Sequence, residues 1–157
     1  MFIGSAQNTT LLPPSAGAPE HYEELWWYSG GYEATSTTAS GSIALQKGGT
    51  CTALSTSASA QKLLTLSSNW QATTKFALEC TITGNGGASG NAALWDMTAN
   101  AIVSGSTVTT TNNGQLAVFR SGLFSLTPGH TYGVTVWSSS VSYNMWVTDA
   151  SLIIFSQ

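Results

Sequence analysis

The chain has 157 residues, enough for one domain whose core buries roughly two-thirds of the surface that the unfolded chain exposes. Only 7% of the residues are charged, against about 25% in an average soluble protein, and the net charge is −3. This composition argues against nucleic acid or an anionic membrane surface as a partner, and no run of about 18 apolar residues predicts a membrane-spanning helix.

Residues 1–18 are predicted to form an extended N-terminal arm. Pro13 and Pro14 favour an extended backbone, and no period of apolar residues indicates a helix or a strand. A loose terminus is the usual alternative for a segment of this kind. Because the arm carries apolar side chains, we instead expect it to dock on a neighbouring subunit. The side chains that we predict to bind a partner are Phe2, Ile3, Leu11 and Leu12.

Residues 19–28 are the one segment that predicts a short helix. Pro19 suits a first helical position, carboxylates follow in the early turns, and Gly30 and Gly31 would end the helix. Its aromatic side chains are of the kind found at protein interfaces and sugar-binding platforms, although packing over the end of the domain is the plainer alternative. The residues that we predict to bind a partner here are Tyr22, Leu25, Trp26, Trp27 and Tyr28.

From residue 32 onward, short segments with apolar residues at alternate positions are separated by turn residues, which is typical of strands. These segments are 42–47, 50–54, 63–66, 75–83, 92–97, 106–111, 116–120, 132–137 and 149–155. Gly48-Gly49 and the Asn-Gly of 112–114 predict hairpin turns, and Pro128-Gly129 predicts a type II turn. The pattern predicts a single all-β domain over 32–157, an antiparallel, jelly-roll-like β-sandwich of about eight strands, preceded by an N-terminal region over 1–31.

Residue types that carry chemistry are few and scattered. The two histidines, His21 and His130, lie in different contexts, and no His/Cys cluster has the spacing of a metal site. Neither a G-x-S-x-G motif nor a calcium-binding loop is present. We therefore predict no catalytic residue, no metal and no cofactor. Cys80 alternates with apolar residues and is interpreted as a core thiol, with a disulfide to Cys51 as the alternative.

Arg120 is the only arginine and lies in the predicted strand 116–120. We predict a structural or interface role for it, either in an ion pair with Asp96 or Asp149 or in a contact with another subunit. The chain also has 6 tryptophans, more than one small core usually holds, which indicates that some of them face a partner.

Five stretches in the second half of the chain carry a likeness to a known module: 93–98 (ALWDMT), 103–106 (VSGS), 120–121 (RS), 126–132 (LTPGHTY) and 148–154 (TDASLII). Together they resemble a jelly-roll module of tailed-bacteriophage virion proteins. Such modules occur in capsid decoration (cement) proteins, in fibre tips and in other surface appendages. The resemblance implies a non-enzymatic virion part, commonly a homotrimer.

Fibre tips normally follow a repetitive shaft, and this sequence contains no such repeat. We therefore expect a capsid decoration protein on the outer surface of the virion, made in the host cytoplasm. Its partners would be the major capsid protein and further copies of itself. A receptor- or glycan-binding module of a tail fibre is the first alternative, favoured by the tryptophans, and a structural adaptor of a tail or baseplate is the second.

Overall fold

The computed structural model describes residues 7–11, 21–34, 46–47, 62–70, 73–140 and 145–155. These residues form eleven strands and no helix, and eight of the strands have four or more residues. The strands are β1 (Gln7–Leu11), β2 (His21–Ala34), β3 (Gln46–Lys47), β4 (Lys62–Leu66), β5 (Lys75–Thr83), β6 (Gly90–Asp96), β7 (Ala101–Ile102), β8 (Val108–Thr110), β9 (Ala117–Arg120), β10 (Thr131–Ser138) and β11 (Met145–Phe155). The all-β prediction is confirmed.

The strands form two sheets. The four-stranded sheet has the order β2-β11-β5-β9. The seven-stranded sheet has the order β1-β4-β10-β6-β7, with β3 paired to β10 and β8 paired to β6. Four antiparallel pairs are nested in sequence, β2 with β11, β4 with β10, β5 with β9 and β6 with β8. This nesting is the arrangement of a jelly roll, so the predicted jelly-roll-like sandwich is confirmed.

One large hydrophobic cluster lies between the two sheets. Alternate residues of each strand supply it, because successive side chains of a strand point to opposite faces of the sheet. In β5 and β11 of the four-stranded sheet, and in β6 and β10 of the seven-stranded sheet, the contributing residues are Phe76, Leu78, Cys80, Ile82, Met145, Val147, Ala150, Leu152, Ile154, Ala92, Leu94, Tyr132, Val134 and Val136. Fully burying one such large side chain stabilises the fold by about 2 kcal/mol.

A second, smaller cluster lies on the other face of the seven-stranded sheet. It contains Ala93, Trp95 and Trp137, with Met97 and Ile102 packed against it. All seven residues of β6 are buried, so both faces of this strand are covered. This explains why the sequence of β6 is a nearly continuous apolar run rather than an alternating one.

The helix predicted over 19–28 is wrong from His21 onward. The chain there forms β2, which pairs with β11 at the edge of the four-stranded sheet. Tyr and Trp favour strands, and pairing with β11 outweighs the weak local helix signals of the proline and the carboxylates. β2 also continues to Ala34, past the boundary that we predicted at residue 31.

Part of the predicted arm belongs to the sandwich itself. β1 pairs in parallel with β4 of the same chain, and Leu11 lies opposite Leu66. Residues 7–11 are therefore an edge strand of the seven-stranded sheet rather than an extension that is free to leave the domain. Phe2, Ile3 and Leu12 lie outside the described residues.

Of the predicted turns, one is confirmed and one is wrong. Gly129 has φ 82°, and the His130 backbone N–H donates to the Thr127 carbonyl at 3.3 Å, as expected for a type II turn. The segment 112–114 does not form a hairpin, because β8 and β9 belong to different sheets. An Asn-Gly sequence permits a tight turn but does not determine which sheet the next strand joins. The hairpin predicted at Gly48-Gly49 lies outside the described residues.

The core-thiol interpretation of Cys80 is confirmed, since this residue is buried and forms no disulfide. Burial raises the pKa of the Cys80 thiol above its ordinary value of 9.0, and the charges of Asp149 and Glu79 raise it further. In the unfolded chain the thiol would ionise from about its ordinary pKa, whereas in the folded protein it stays neutral. The thiol should therefore not change the free energy of unfolding at a pH below its ordinary pKa, and the free energy of unfolding should fall as the pH rises above that pKa.

Cys80→Ala should remove this part of the alkaline loss of stability. The lost packing lowers the free energy of unfolding of the variant equally at every pH. Between about pH 9 and about pH 10.5, however, the free energy of unfolding of the wild-type protein should fall by about 2 kcal/mol more than that of the variant. Urea unfolding across this range measures the difference. Parallel curves for the two proteins would contradict the assigned rise in the thiol pKa.

Candidate functional site

The described part of the chain offers few groups that could perform chemistry. It contains no group of three or more His, Cys, Asp or Glu side chains that could hold a metal ion. In the same residues, no helix has the length and apolar character of a membrane span. Two polar clusters and one apolar surface remain as features with a possible role.

The first polar cluster joins two turns through Asp96 and His130. Asp96 Oδ2 lies 2.7 Å from His130 Nδ1. The other carboxylate oxygen, Oδ1, accepts hydrogen bonds from the backbone N–H groups of Thr98 and Ala99, at 2.9 Å and 2.8 Å. Asn100 completes this turn with φ 55°, a left-handed conformation that asparagine tolerates. Asp96 thus shapes the turn after β6 and fastens it to the turn before β10.

Tyr132 extends this cluster. Its hydroxyl accepts a hydrogen bond from the Thr127 N–H at 2.8 Å and donates to the Thr127 carbonyl at 3.0 Å. Burial raises the pKa of Tyr132, and the Asp96 charge raises it further, while the bonds to Thr127 act in the opposite direction. The His130 ring stacks beside it, with ring centres 6.4 Å apart. Because these polar groups are engaged in holding turns, we interpret the cluster as structural.

Asp96→Ala should lower the free energy of unfolding by about 3 kcal/mol, and Asp96→Asn by about 1 kcal/mol. Alanine leaves two backbone N–H groups and His130 without their acceptor. Asparagine keeps an oxygen for the two N–H groups, but it puts an uncharged NH2 group in place of the oxygen that faces His130. Urea unfolding of both variants tests this. Equal losses would show that the contact with His130, rather than the turn, accounts for the stabilisation.

The second polar cluster is the ion pair of Arg120 with Glu79. Arg120 Nη2 and Nε lie 2.9 Å and 3.0 Å from the same oxygen, Glu79 Oε2. The predicted pairing with Asp96 or Asp149 is wrong, because the register of β9 and β5 puts Glu79 directly opposite Arg120. The two side chains are 42% and 26% exposed, so the pair contributes about 0.5 kcal/mol or less. A contact of Arg120 with another subunit stays a prediction.

The apolar surface is formed by Leu116, Val118 and Leu123, which we call the β9 surface. These side chains are 47%, 62% and 62% exposed, and they are the exposed large hydrophobic residues of the described chain. Val118 lies in β9, Leu116 directly precedes this strand, and Leu123 follows its last residue by three positions; β9 is an edge strand of the described four-stranded sheet. Such side chains at a strand edge are typical of a place where another chain binds.

The backbone of β9 supports the same interpretation. The Ser121 N–H donates to the Leu78 carbonyl, so by the alternation of an antiparallel ladder Ala117 and Phe119 also face β5. The N–H and C=O of Val118 consequently point away from β5. Within the described residues, no strand pairs with this outer side of β9. A strand from a partner could add to the sheet here while covering the apolar side chains.

Three of the six tryptophans are not exposed platforms. Trp70, Trp95 and Trp137 are buried, at 6%, 3% and 8% exposure. In β2, Trp26 lies opposite Ala150 and Trp27 opposite Asp149 in the strand register. These three side chains offer no exposed platform, and the expectation that some tryptophans face a partner stays a prediction for the others.

The other predicted partner-binding residues are dispersed. Tyr22 lies opposite Ile153 in the register of β2 with β11, whereas Leu25 and Tyr28 lie elsewhere along β2, and Leu11 lies in the other sheet. The structure does not group them with the β9 surface, which sequence reasoning missed. One signal was available, because the segment 116–120 carries apolar residues at both odd and even positions, unlike a strand with one solvated face.

No family model matches this chain, and no curated protein matches it either.

Proposed function

We propose that this chain is a structural protein of a tailed-bacteriophage virion that binds the outer surface of the assembled capsid and bridges neighbouring capsid subunits. The observation that carries the proposal is the β9 surface, three exposed apolar side chains at the edge of the described four-stranded sheet of a jelly-roll-like sandwich. The resemblance of the second half of the chain to virion jelly-roll modules supports the same function. The proposed partners are the major capsid protein and further copies of this chain as a homotrimer.

The physical character of the β9 surface predicts how the binding behaves. The contact would bury apolar side chains and pair the backbone of Val118. The nearby charge of Arg120 already forms an ion pair with Glu79 of the same chain. Binding that depends little on charge is screened little by salt. We therefore expect the affinity for capsids to change only slightly between low and moderate ionic strength.

The glycan-binding alternative loses part of its support. It was motivated by the number of tryptophans, and three of the six are buried in the two hydrophobic clusters. Trp26 and Trp27 in β2 still allow it. A glycan array distinguishes the two functions, because a decoration protein should show no binding on it.

The direct test is to mix the purified full chain with capsids of its own phage that lack the protein, and to pellet the capsids. We expect the chain to sediment with capsids and to saturate at a fixed ratio to the major capsid protein. A variant that lacks residues 1–6 keeps β1 and shows whether the arm before β1 contributes. Failure to bind capsids at stoichiometric excess, together with binding to isolated tail fibres, would overturn the proposal.

A further inference from the structure

The chain contains two Asn-Gly dipeptides, Asn85-Gly86 and Asn113-Gly114, and the fold places them against each other. The Gly86 N–H donates to the side-chain oxygen Oδ1 of Asn113 at 3.0 Å. The Gly114 N–H donates to the Gly84 carbonyl, also at 3.0 Å. The loop between β5 and β6 and the crossing segment between β8 and β9 are therefore joined by the groups that Asn-Gly chemistry uses.

An Asn-Gly dipeptide can rearrange without an enzyme. The backbone nitrogen of the glycine loses its proton to water and attacks the side-chain carbon Cγ of the asparagine. A bond forms between that nitrogen and Cγ, the bond from Cγ to Nδ2 breaks, and the amide nitrogen leaves as ammonia. Water then opens the five-membered ring at either carbonyl, which gives aspartate or isoaspartate. No oxidant or reductant takes part.

We propose that Asn113 is a site of spontaneous deamidation that the fold itself activates. When the Gly114 nitrogen attacks Cγ, negative charge develops on Oδ1, and the Gly86 N–H already points at this oxygen. A fixed donor at the place where charge develops lowers the barrier of such an addition, as an oxyanion hole does.

The surroundings of Asn113 permit the reaction. Asn113 and Gly114 are exposed to solvent. Gly114 has φ 72°, and nothing lies within 4 Å of the position that a Cβ would occupy there, so no neighbouring residue crowds Gly114 on that side. One hydrogen bond, from Gly114 to Gly84, must open before the nitrogen can attack. Loops at an exposed end of a domain open locally at a low free-energy cost.

Asn85 is the matched internal comparison. It also precedes a glycine, but the attacking nitrogen would be that of Gly86, whose N–H is held by Asn113 Oδ1. Asn85 is only partly exposed, and none of the described residues donates a hydrogen bond to its side-chain oxygen. The attacking N–H is hydrogen-bonded at both dipeptides, but only Asn113 receives a hydrogen bond at its side-chain oxygen, so the fold activates one of two identical dipeptides.

The product would change this end of the sandwich. Aspartate adds a negative charge to a chain with few charges, while its oxygen can still accept from Gly86. Isoaspartate inserts a methylene into the main chain, which moves Gly114 out of line with the Gly84 carbonyl. The bond between the two segments would then be lost.

The test is incubation of the native full chain at neutral pH, followed by peptide mapping with mass spectrometry. We expect Asn113 to deamidate about fivefold faster than Asn85, which corresponds to one well-placed hydrogen bond. In the urea-unfolded protein, where only the local sequence determines the deamidation rate, the rates of Asn113 and Asn85 should agree within about twofold. Equal native rates, faster reaction at Asn85, or no native reaction at Asn113 would overturn the proposal.

A second protein separates the role of the Gly86 donor. A Cβ at position 84 would lie 2.4 Å from the Ala88 carbonyl oxygen, so Gly84→Ala must displace this loop. The rates at Asn113 and Asn85 should then approach each other in the folded variant. A preserved fivefold difference would contradict activation by Gly86, and if the variant does not fold, the comparison of native and urea-unfolded protein still decides.

Discussion

Gly90→Ala should lower the free energy of unfolding by about 3 kcal/mol or more, the upper range for a side chain forced into packed surroundings. A Cβ at this position would lie 2.3 Å from the Thr83 carbonyl oxygen and 2.9 Å from its carbon. Neither backbone can move freely, because Gly90 pairs with Ser138 and with Thr110 in the seven-stranded sheet. Thr83 is fixed as well, since its buried hydroxyl hydrogen-bonds to the Asn112 carbonyl at 2.8 Å.

Gly122→Ala is the matched control, because nothing lies within 4 Å of its Cβ position and its φ is not left-handed. It should change the free energy of unfolding by less than about 0.5 kcal/mol. Urea unfolding monitored by circular dichroism measures both variants. A Gly90→Ala protein as stable as the control would show that β5 and β6 do not approach each other as closely as the structure has them.

Replacing all three residues of the β9 surface by serine should weaken capsid binding at least about thirtyfold, the loss expected when a hot spot is truncated. Leu116, Val118 and Leu123 are already exposed in the isolated chain. Their replacement should therefore change the free energy of unfolding by less than about 1 kcal/mol. Capsid pelleting and urea unfolding of the same preparation separate a binding defect from a folding defect.

The control for this variant replaces two exposed polar residues outside β9, Thr107→Ala and Thr111→Ala, which should leave capsid binding unchanged. Val118→Pro and Val118→Ala together add information, because both lose the valine side chain and only proline also loses an N–H that points away from β5. A greater loss of binding in Val118→Pro than in Val118→Ala would show that a partner strand pairs with β9. Unchanged binding by the triple serine variant would remove the β9 surface from the proposed function.

The elements that could be predicted from the sequence are those in which local pattern and final environment agree. β5 and β11 carry apolar residues at alternate positions with aromatic and β-branched side chains, and both were predicted as strands. The turn at Pro128-Gly129 was also predictable, because proline fixes the φ angle at the second position of a type II turn and glycine tolerates the positive φ at the third.

What could not be predicted depends on contacts between distant parts of the chain. Pro19 precedes β2 and Glu23 and Glu24 lie near its start, which are signals of a helix, and only pairing with β11 makes this segment a strand. The ion pair of Arg120 with Glu79 follows from strand register, which residue spacing along the chain does not reveal. The β9 surface exists because β9 is last in its sheet, and strand order is a property of the assembled fold.

The nested pairing has a consequence for biosynthesis. β11 lies between β2 and β5 in the four-stranded sheet, so among the described strands β2 has no neighbour in that sheet until β11 has been synthesised. A nascent chain that still lacks β11 therefore cannot complete this sheet, and its unpaired strands are prone to aggregation. Pairing between strands this far apart in sequence also makes folding intrinsically slow. Completion of the sandwich is thus a late event that waits for the synthesis of β11.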